Sequence, residues 1–187
     1  MGRMIYGMMQ SLDGYIGGAP GGPHLPPPGE ELHRYFNDIM KRTAVAVYGR
    51  TMYEIMRAWE TLDATPDAGP VEKDFAPAWR DTPKVVVSTT LREVGPNARL
   101  VSDNVEAELR RLKAQTDGII EIAGARLAAS AGRMGLIDEY RLFLHPIVLG
   151  GGKPFFAAGL PLQLKLVGTE TLPQGVLLLR YEPGPQS

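Results

Sequence analysis

The sequence predicts a single α/β domain, a three-layer α/β/α architecture around a mainly parallel mixed central sheet with an antiparallel C-terminal hairpin. Short β-branched apolar runs alternate with amphipathic helical stretches along most of the chain, which is typical of parallel strands covered by helices on both faces. Two further apolar runs follow, separated by Pro173-Gln174-Gly175, a spacing typical of a hairpin. The 187 residues suit one domain, and no linker or internal repeat divides them.

The first half of the chain alternates strands, loops and helices. Five glycines and five prolines between Gly17 and Gly29 predict a long irregular loop. Apolar residues at helical spacing from Leu32 predict an amphipathic helix over Glu30–Lys41. The other elements predicted here are a strand over Met4–Met9, a strand over Ala44–Tyr48, a helix over Met52–Ala58, and a loop over Leu62–Thr82 with a short helical piece at Val71–Trp79.

The second half continues the alternation before the hairpin. Leu127, Ala131 and Met134 mark one face of a helix that ends at Gly135. The tail from Pro183 is expected to fray. The remaining predicted elements are strands over Lys84–Ser88, Arg99–Ser102, Gly118–Ile122 and Glu139–His145, a helix with the face Val105, Leu109 and Leu112, and the hairpin strands Leu164–Leu172 and Val176–Glu182.

Composition excludes several classes of protein. The formal net charge is −1 and no basic stripe is present, so we expect no nucleic-acid partner. The absence of cysteine excludes disulfides, Cys-ligated zinc and a cysteine nucleophile. His24, His33 and His145 lack the spacing of metal ligands, so no metal site is predicted. Without a signal-type N-terminus or a long apolar run, the chain is expected to be cytoplasmic and to have no membrane partner.

The first candidate binding site is a strand–glycine–helix junction. The strand Ile119–Ile122 breaks at Ala123-Gly124, and a helix follows. Such a junction directs the free N–H groups and the dipole of the helix at one point, which favours an anion. A glycine at position 124 lets a pyrophosphate approach the backbone. The alternative is an ordinary connection between strand and helix, because no G-x-G-x-x-G fingerprint is present.

A second junction of this kind, Gly49-Arg50-Thr51, follows another predicted strand. Ligands of open α/β sheets bind beyond the carboxyl ends of the strands. Four residues each follow a predicted strand and are expected at this edge, namely Asp13, Arg50, Ser88 and Gly124.

Six short motifs together resemble the dihydrofolate-reductase-like superfamily and, within it, the reductase domain of bifunctional riboflavin-biosynthesis deaminase/reductases and its stand-alone relatives. Each motif is weak alone, but the ordered set is specific and spans most of the chain. The deaminase half of those enzymes needs a zinc site that includes cysteine, so this chain cannot contain it. The motifs are Ser11-Leu12-Asp13-Gly14-Tyr15-Ile16, Gly49-Arg50-Thr51-Met52-Tyr53-Glu54, Val86-Val87-Ser88-Thr89-Thr90-Leu91, Ala123-Gly124-Ala125-Arg126-Leu127, Gly135-Leu136-Ile137-Asp138-Glu139 and Pro146-Ile147-Val148-Leu149-Gly150-Gly151-Gly152.

The resemblance implies an NADPH-dependent reductase. In such proteins the glycine-arginine turn and the hydroxyl residues after the next strand hold the adenosine phosphate end of the cofactor. An always-charged guanidinium and hydroxyl donors suit a 2′-phosphate dianion, while the alternative for Arg50 is a surface ion pair. The residues expected to bind NADPH are Gly49, Arg50, Thr51, Ser88 and Thr89 at this end and Ala123, Gly124, Ala125, Arg126 and Leu127 at the other turn.

Two residues depart from the family pattern. The family usually has Gly-Gly where this chain has Ala123-Gly124, and the Gly-Gly bond is cis in dihydrofolate reductases. The family usually has a threonine where this chain has Met52, so one expected hydroxyl donor is missing. These departures predict a weaker cofactor site than in the family at large.

Hydride transfer also needs a proton, and Asp13 and Glu54 are the predicted catalytic residues because carboxyl groups can supply it directly or through a water. Asp13 lies at a strand end in the matching motif, and its alternative role is a turn aspartate that binds its own backbone. Glu31, Tyr53 and Trp59 are the predicted substrate-binding residues. The two aromatic side chains could line a site for a flat heterocycle or simply pack in the core. Glu31 could be only a carboxylate at the start of a helix.

The predicted function is hydride transfer from NADPH to a small heterocyclic or sugar-amine substrate. The resemblance implies 5-amino-6-(5-phosphoribosylamino)uracil, and a pterin is the other substrate class. The alternative is a catalytically silent nucleotide-binding or oligomerising protein that keeps the fold, which the departures at Ala123 and Met52 favour. We also expect a homodimer, because relatives are commonly dimers and Val176–Leu179 is apolar enough to face a partner or a core.

Overall fold

The computed structural model describes residues 1–159 and 161–185, and this part of the chain contains ten strands and five α-helices. The strands are β1 (Arg3–Ser11), β2 (Tyr15–Gly17), β3 (Thr43–Gly49), β4 (Lys84–Val87), β5 (Ala98–Val101), β6 (Ile119–Ala123), β7 (Glu139–His145), β8 (Lys153–Pro154), β9 (Leu164–Thr171) and β10 (Leu177–Pro183). The helices are α1 (Glu30–Lys41), α2 (Arg50–Met56), α3 (Pro70–Asp81), α4 (Val105–Gln115) and α5 (Ala125–Arg133).

Eight of the described strands form one sheet in the order β5-β4-β3-β6-β1-β7-β10-β9. The strands from β5 to β7 pair in parallel, whereas β10 runs antiparallel to both β7 and β9. The predicted mainly parallel mixed sheet with an antiparallel C-terminal hairpin is therefore confirmed. β2 and β8 form a separate two-stranded sheet.

Helices cover both faces of the large sheet. Successive side chains of a strand point to opposite faces, so the strands contribute to a packed layer on each side. Met4 and Tyr6 of β1 pack in the apolar cluster that includes α4 and α5. Ala46 and Tyr48 of β3 pack in a second cluster, with the buried Trp79 of α3. The predicted three-layer α/β/α architecture is thereby confirmed.

Local differences from the predicted elements have physical reasons. The segment predicted as a loop with a short helical piece holds the twelve-residue helix α3, which begins at Pro70 and has Val71, Phe75 and Trp79 buried along one side. Proline in the first turn of a helix costs no hydrogen bond, so the Pro-rich composition misled the prediction of its length. The helix α2 starts at Arg50, directly after Gly49, two residues earlier than predicted.

The C-terminal strand extends further than predicted. Pro183 belongs to β10, and the backbone N–H of Gly184 donates to the carbonyl of Gln163 at 2.7 Å, so the expected fraying does not begin at Pro183. The rest of the tail expected to fray, residues 186 and 187, lies outside the described residues. Over the described ranges, no helix combines the length and the apolar character needed to cross a bilayer.

The sheet order fixes where a binding site can lie. β4, β3 and β6 are parallel neighbours, so their carboxyl ends meet at one edge of the sheet. Gly49 ends β3, Ser88 follows β4, and Gly124 follows β6.

Candidate functional site

An open cleft of about 790 Å³ lies at the carboxyl ends of β3, β4 and β6 and runs along α5. Its volume falls in the usual range for pockets that hold a small molecule or cofactor, roughly 300–1,000 Å³. Seven of the ten residues predicted to bind the cofactor line it. The lining consists of Gly49, Arg50, Thr51, Met52, Val87, Val105, Gly124, Ala125, Arg126, Leu127, Ser130, Met134, Lys153, Pro154, Ala157 and Ala158.

Two glycines form the floor of this cleft, where the chain leaves β3 and β6. Gly124 has a φ of +112°, a conformation that side chains rarely adopt. A Cβ atom at Gly124 would lie 3.7 Å from the backbone nitrogen of Gly49 and 3.9 Å from its Cα atom. The peptide bond between Ala123 and Gly124 is trans. The glycine at 124 therefore keeps a strip of bare backbone open to a ligand.

Two helices begin at these glycines, and neither is capped by a side chain. Gly49 is the N-cap of α2 and Gly124 is the N-cap of α5, without a side-chain hydrogen bond in either case. The first intrahelical bond of α5 runs from the N–H of Ala128 to the carbonyl of Gly124 at 2.9 Å. The N–H groups of residues 125–127 thus have no acceptor within the helix, which is the arrangement that binds anions.

The charged residues of the cleft are all cationic. Arg50, Arg126 and Lys153 line it, and no carboxylate is among its described lining residues. None of these three cations forms an ion pair with another described residue. The surface ion pair considered as the alternative for Arg50 is therefore not present. A polyanion such as a dinucleotide with phosphate groups fits this charge and the bare backbone beside it.

The hydroxyl residues predicted after β4 lie beyond the cleft wall, which ends at Val87. Ser88 is buried, and its Oγ accepts hydrogen bonds from the N–H groups of Thr90 at 3.2 Å and Leu91 at 3.1 Å. Thr89 is exposed beside it. Ser88 thus closes the turn after β4, while Ala123 is buried in the apolar core behind Gly124.

Asp13 joins two loops. Its carboxylate accepts hydrogen bonds from the N–H groups of Leu149 at 3.0 Å and Gly150 at 2.7 Å. A hydrogen bond from the Ser11 hydroxyl, together with these backbone bonds, lowers the pKa of Asp13. An aspartate held in its ionised form has no proton to donate at neutral pH. Asp13 lies outside the described lining of the cleft, and its predicted role in proton delivery stays a prediction.

The other predicted catalytic and substrate residues are also outside the cleft lining. Glu54 and Glu31 are exposed on α2 and α1. Tyr53 is 1% exposed, and its hydroxyl accepts a hydrogen bond from the N–H of Gly95 at 2.7 Å. The ring of Trp59 packs on Phe75, with centroids 4.5 Å apart. For both aromatic residues the geometry favours the packing role that was their alternative.

Sequence reasoning missed Lys153, Ser130 and the loop residues Pro154, Ala157 and Ala158. The signal that could have found Lys153 is its place directly after three consecutive glycines, because glycine-rich loops with a following lysine often cradle phosphates. Within the described ranges, no group of three or more acidic or histidine side chains is arranged to hold a metal ion.

Solved structures with this fold come from several organisms. A protein of Shewanella sp. PV-4 named for riboflavin biosynthesis has a TM-score of 0.70 and 22% identity, covering 98% of this chain and 99% of its own. The diaminohydroxyphosphoribosylaminopyrimidine deaminase/5-amino-6-(5-phosphoribosylamino)uracil reductase of Thermotoga maritima has a TM-score of 0.66 and 16% identity, covering 98% of this chain and 57% of that one. The dihydrofolate reductase of Enterococcus faecalis complexed with NADP(H) and RAB-propyl has a TM-score of 0.66 and 15% identity, with 98% of both chains covered.

At these identities the likeness establishes a shared dihydrofolate-reductase-like fold, as the six motifs predicted. Sequence comparison goes further. The uncharacterized protein YyaP of Bacillus subtilis (strain 168) is 30% identical over 181 residues, which cover 96% of this chain and 94% of that protein. The family model of the RibD C-terminal domain matches residues 3–178. Since that match spans nearly the whole chain, the protein belongs to the RibD C-terminal domain family.

Proposed function

We propose that the protein binds NADPH in the cleft and transfers its hydride to a small heterocyclic or sugar-amine substrate. One observation carries the proposal. The cleft combines a glycine floor, an uncapped helix N-terminus and three unpaired cations with no described carboxylate in its lining. That combination suits a dinucleotide with an extra phosphate.

Each element has a role in this proposal. The N–H groups at the start of α5 face the pyrophosphate, and Gly124 leaves room for it. Arg50 holds the 2′-phosphate, since a guanidinium presents a charged fork to phosphate oxygens. The absence of a described carboxylate from the lining also disfavours NADH, whose free ribose hydroxyls are usually held by an acidic residue. When bound, the nicotinamide supplies the hydride.

The proton for the reduced atom has a less direct source. No described lining residue carries a carboxyl group or an imidazole. We infer that a water molecule delivers the proton, with the exposed Glu54, three positions after Thr51, as the candidate to hold it. We do not assign this role to Asp13, because its carboxylate is engaged by the N–H groups of Leu149 and Gly150 and lies outside the described lining of the cleft.

The names of two structural neighbours support the choice of substrate class. The Thermotoga maritima neighbour is named as a reductase of 5-amino-6-(5-phosphoribosylamino)uracil, and the Enterococcus faecalis neighbour as a dihydrofolate reductase. A phosphoribosylamino-pyrimidinone is therefore the first substrate to test and a dihydropterin the second.

Titration with NADPH, followed by its fluorescence, tests the binding step. Saturable binding that is tighter than for NADH is the expected result, and no binding of either cofactor would refute the proposal. Loss of NADPH absorbance on addition of either substrate class then tests turnover.

A second candidate function is nucleotide binding without catalysis. The observation that favours it is that none of the predicted catalytic residues lines the cleft. Binding of NADPH without turnover of either substrate class would support this candidate over the reductase.

A further inference from the structure

Lys153 contributes a cation to the cleft from a separate structural element. Arg50 and Arg126 belong to helices that start at the main sheet, whereas Lys153 lies in β8 of the two-stranded sheet. The N-terminus of a helix carries only about half an elementary charge. A pyrophosphate carries more negative charge than that, so a cation beside the start of α5 would add to its binding.

The backbone around Gly152 holds Lys153 in place. Lys153 pairs with Gly17 of β2, and Pro154 pairs with Tyr15. Gly152 has a φ of +135°, and a Cβ atom there would lie 2.0 Å from the carbonyl oxygen of Gly17. Only a glycine allows this approach, so any larger residue at 152 must separate β8 from β2 and move Lys153.

Asp13 fixes the other end of the same loop. Its carboxylate accepts hydrogen bonds from the N–H groups of Leu149 and Gly150, three and two residues before Gly152. The N–H of Phe155 donates to the carbonyl of Gly14 at 2.9 Å, on the far side of Lys153. The lysine is therefore held on both sides by the turn that contains Asp13.

We propose that Lys153 is the counter-ion of the cofactor pyrophosphate, and that Asp13 and Gly152 are positioning residues that hold it at the cleft. This rests on the proposed binding of NADPH in the same cleft. A lysine suits the role because its compact charge can meet a phosphate oxygen without a fixed orientation. Asp13 then acts on cofactor affinity and takes no part in proton transfer.

The direct test is the affinity of Lys153→Gln for both cofactors, because NADPH and NADH share the pyrophosphate. Both dissociation constants should rise about ten-fold, as expected for loss of a charged hydrogen bond. Lys153→Arg should restore most of the affinity, and Lys165→Gln, at an exposed lysine of β9, should change neither constant. The affinity of the Gln variant should also fall less steeply with salt, because one charge contact is gone.

The outcomes separate this inference from the proposed function. If the parent binds neither cofactor, both fail. If the parent binds NADPH and Lys153→Gln binds both cofactors as tightly, only the role of Lys153 is overturned. A loss confined to NADPH would assign Lys153 to the 2′-phosphate and also overturn the pyrophosphate assignment.

A double-variant cycle tests the positioning residues. Gly152→Ala should weaken both cofactors about as much as Lys153→Gln, and the double variant should bind no more weakly than either single variant, because all act through one contact. Asp13→Asn, which keeps the shape and loses the charge, provides a second variant if Gly152→Ala does not fold. Fully additive losses, or parent affinity in both positioning variants, would refute the role of Asp13 and Gly152.

Discussion

Gly124 passes so close to Gly49 that a Cβ atom on the first would lie 3.7 Å from the backbone nitrogen of the second. We therefore predict that Gly124→Val abolishes NADPH binding while the protein still folds. The valine would occupy the space beside the first turn of α5 and strain a backbone at φ +112°. Fluorescence titration measures the affinity, and thermal unfolding measures the stability.

A matched control separates the effect of backbone strain from the effect of blocking the cleft. Gly135 also has a positive φ, +66°, but a Cβ atom there meets nothing within 4 Å and the residue does not line the cleft. Gly135→Val should lower the melting temperature and leave NADPH affinity unchanged. Parent-like binding by Gly124→Val would mean that the turn is only a connection, and the binding site would have to lie elsewhere.

Arg50 is predicted to select NADPH over NADH. Arg50→Ala should weaken NADPH by about 1–3 kcal/mol, the range for a hydrogen bond to a charged group, and leave NADH nearly unchanged. Arg133→Ala, which removes an exposed arginine outside the cleft lining, is the control. An equal loss for both cofactors would contradict the assignment of Arg50 to the 2′-phosphate.

A cluster of charges on the α1 side of the sheet leads to a prediction about pH. Glu139 is fully buried and accepts hydrogen bonds from Arg3, Arg141 and Arg180. Burial alone would raise its pKa, but the bonds from Arg180 and Arg141 lower it to about 2. Glu121 lies 3.5 Å from Arg141, and its buried Oε1 has no hydrogen-bond partner. Burial raises the pKa of Glu121 to about 7; Arg141 opposes this, and the neighbouring Glu139 adds a smaller raising effect.

The raised pKa makes Glu121 a source of instability at higher pH. Between the unfolded pKa of about 4.3 and the folded value, the folded protein holds a proton that the unfolded chain has released. The contribution of Glu121 to stability is therefore complete at low pH and falls as the pH rises towards 7.

As the pH is raised from about 5 to about 8, the parent should lose stability relative to Glu121→Gln. The change in this difference should be on the order of 2 kcal/mol. Urea unfolding at the two pH values measures this difference. Glu54→Gln, at an exposed glutamate, is the control. A stability difference that does not change with pH would show that Glu121 titrates no differently in the folded and unfolded states.

The structure points to a different surface for the expected homodimer than the apolar run Val176–Leu179. Val176 and Leu178 are buried against Leu32 and Phe143, so they face the core of their own chain. The outer strand β9 instead exposes Leu166 and Val167, which are 50% and 39% exposed, and an unpaired edge strand of this kind readily meets another copy.

We predict a mass by light scattering of twice 20.4 kDa. Leu166→Lys should yield the monomer, because a charge on the edge strand opposes pairing. Ile55→Lys, at a residue of α2 that is 63% exposed, should not change the mass. A monomer mass for the parent at high micromolar concentration would refute the dimer.

The glycine turns could be predicted because each turn depends on a short stretch of sequence and its position depends only on the order of parallel strands. A strand, a glycine and an amphipathic helix can be recognised in a short window of sequence, and parallel strands bring such turns to one edge. Gly49, Arg50 and Gly124 therefore line one cleft, as expected.

The remaining residues depend on contacts that sequence periodicity does not contain. Whether Tyr53 faces a ligand or the core is decided by Gly95, which lies 42 positions away. Lys153 follows Gly152, which lies against Gly17 of β2, a contact between segments far apart in the chain. The role of Asp13 was ambiguous for the same reason, since its partners Leu149 and Gly150 belong to a distant loop.

The position of β1 has a consequence for how the protein is made. It is the first strand of this domain in chain order, yet its neighbours in the sheet are β6 and β7, and the N–H of Met4 donates to the Asp138 carboxylate across 134 positions. The chain must be synthesised through β7, which ends at His145, before both neighbours of Met4, Ile5 and Tyr6 are in place, so folding is expected to be slow and to start late in synthesis. Nascent chains that stop before β6 would expose this apolar strand, and we expect them to depend on chaperones.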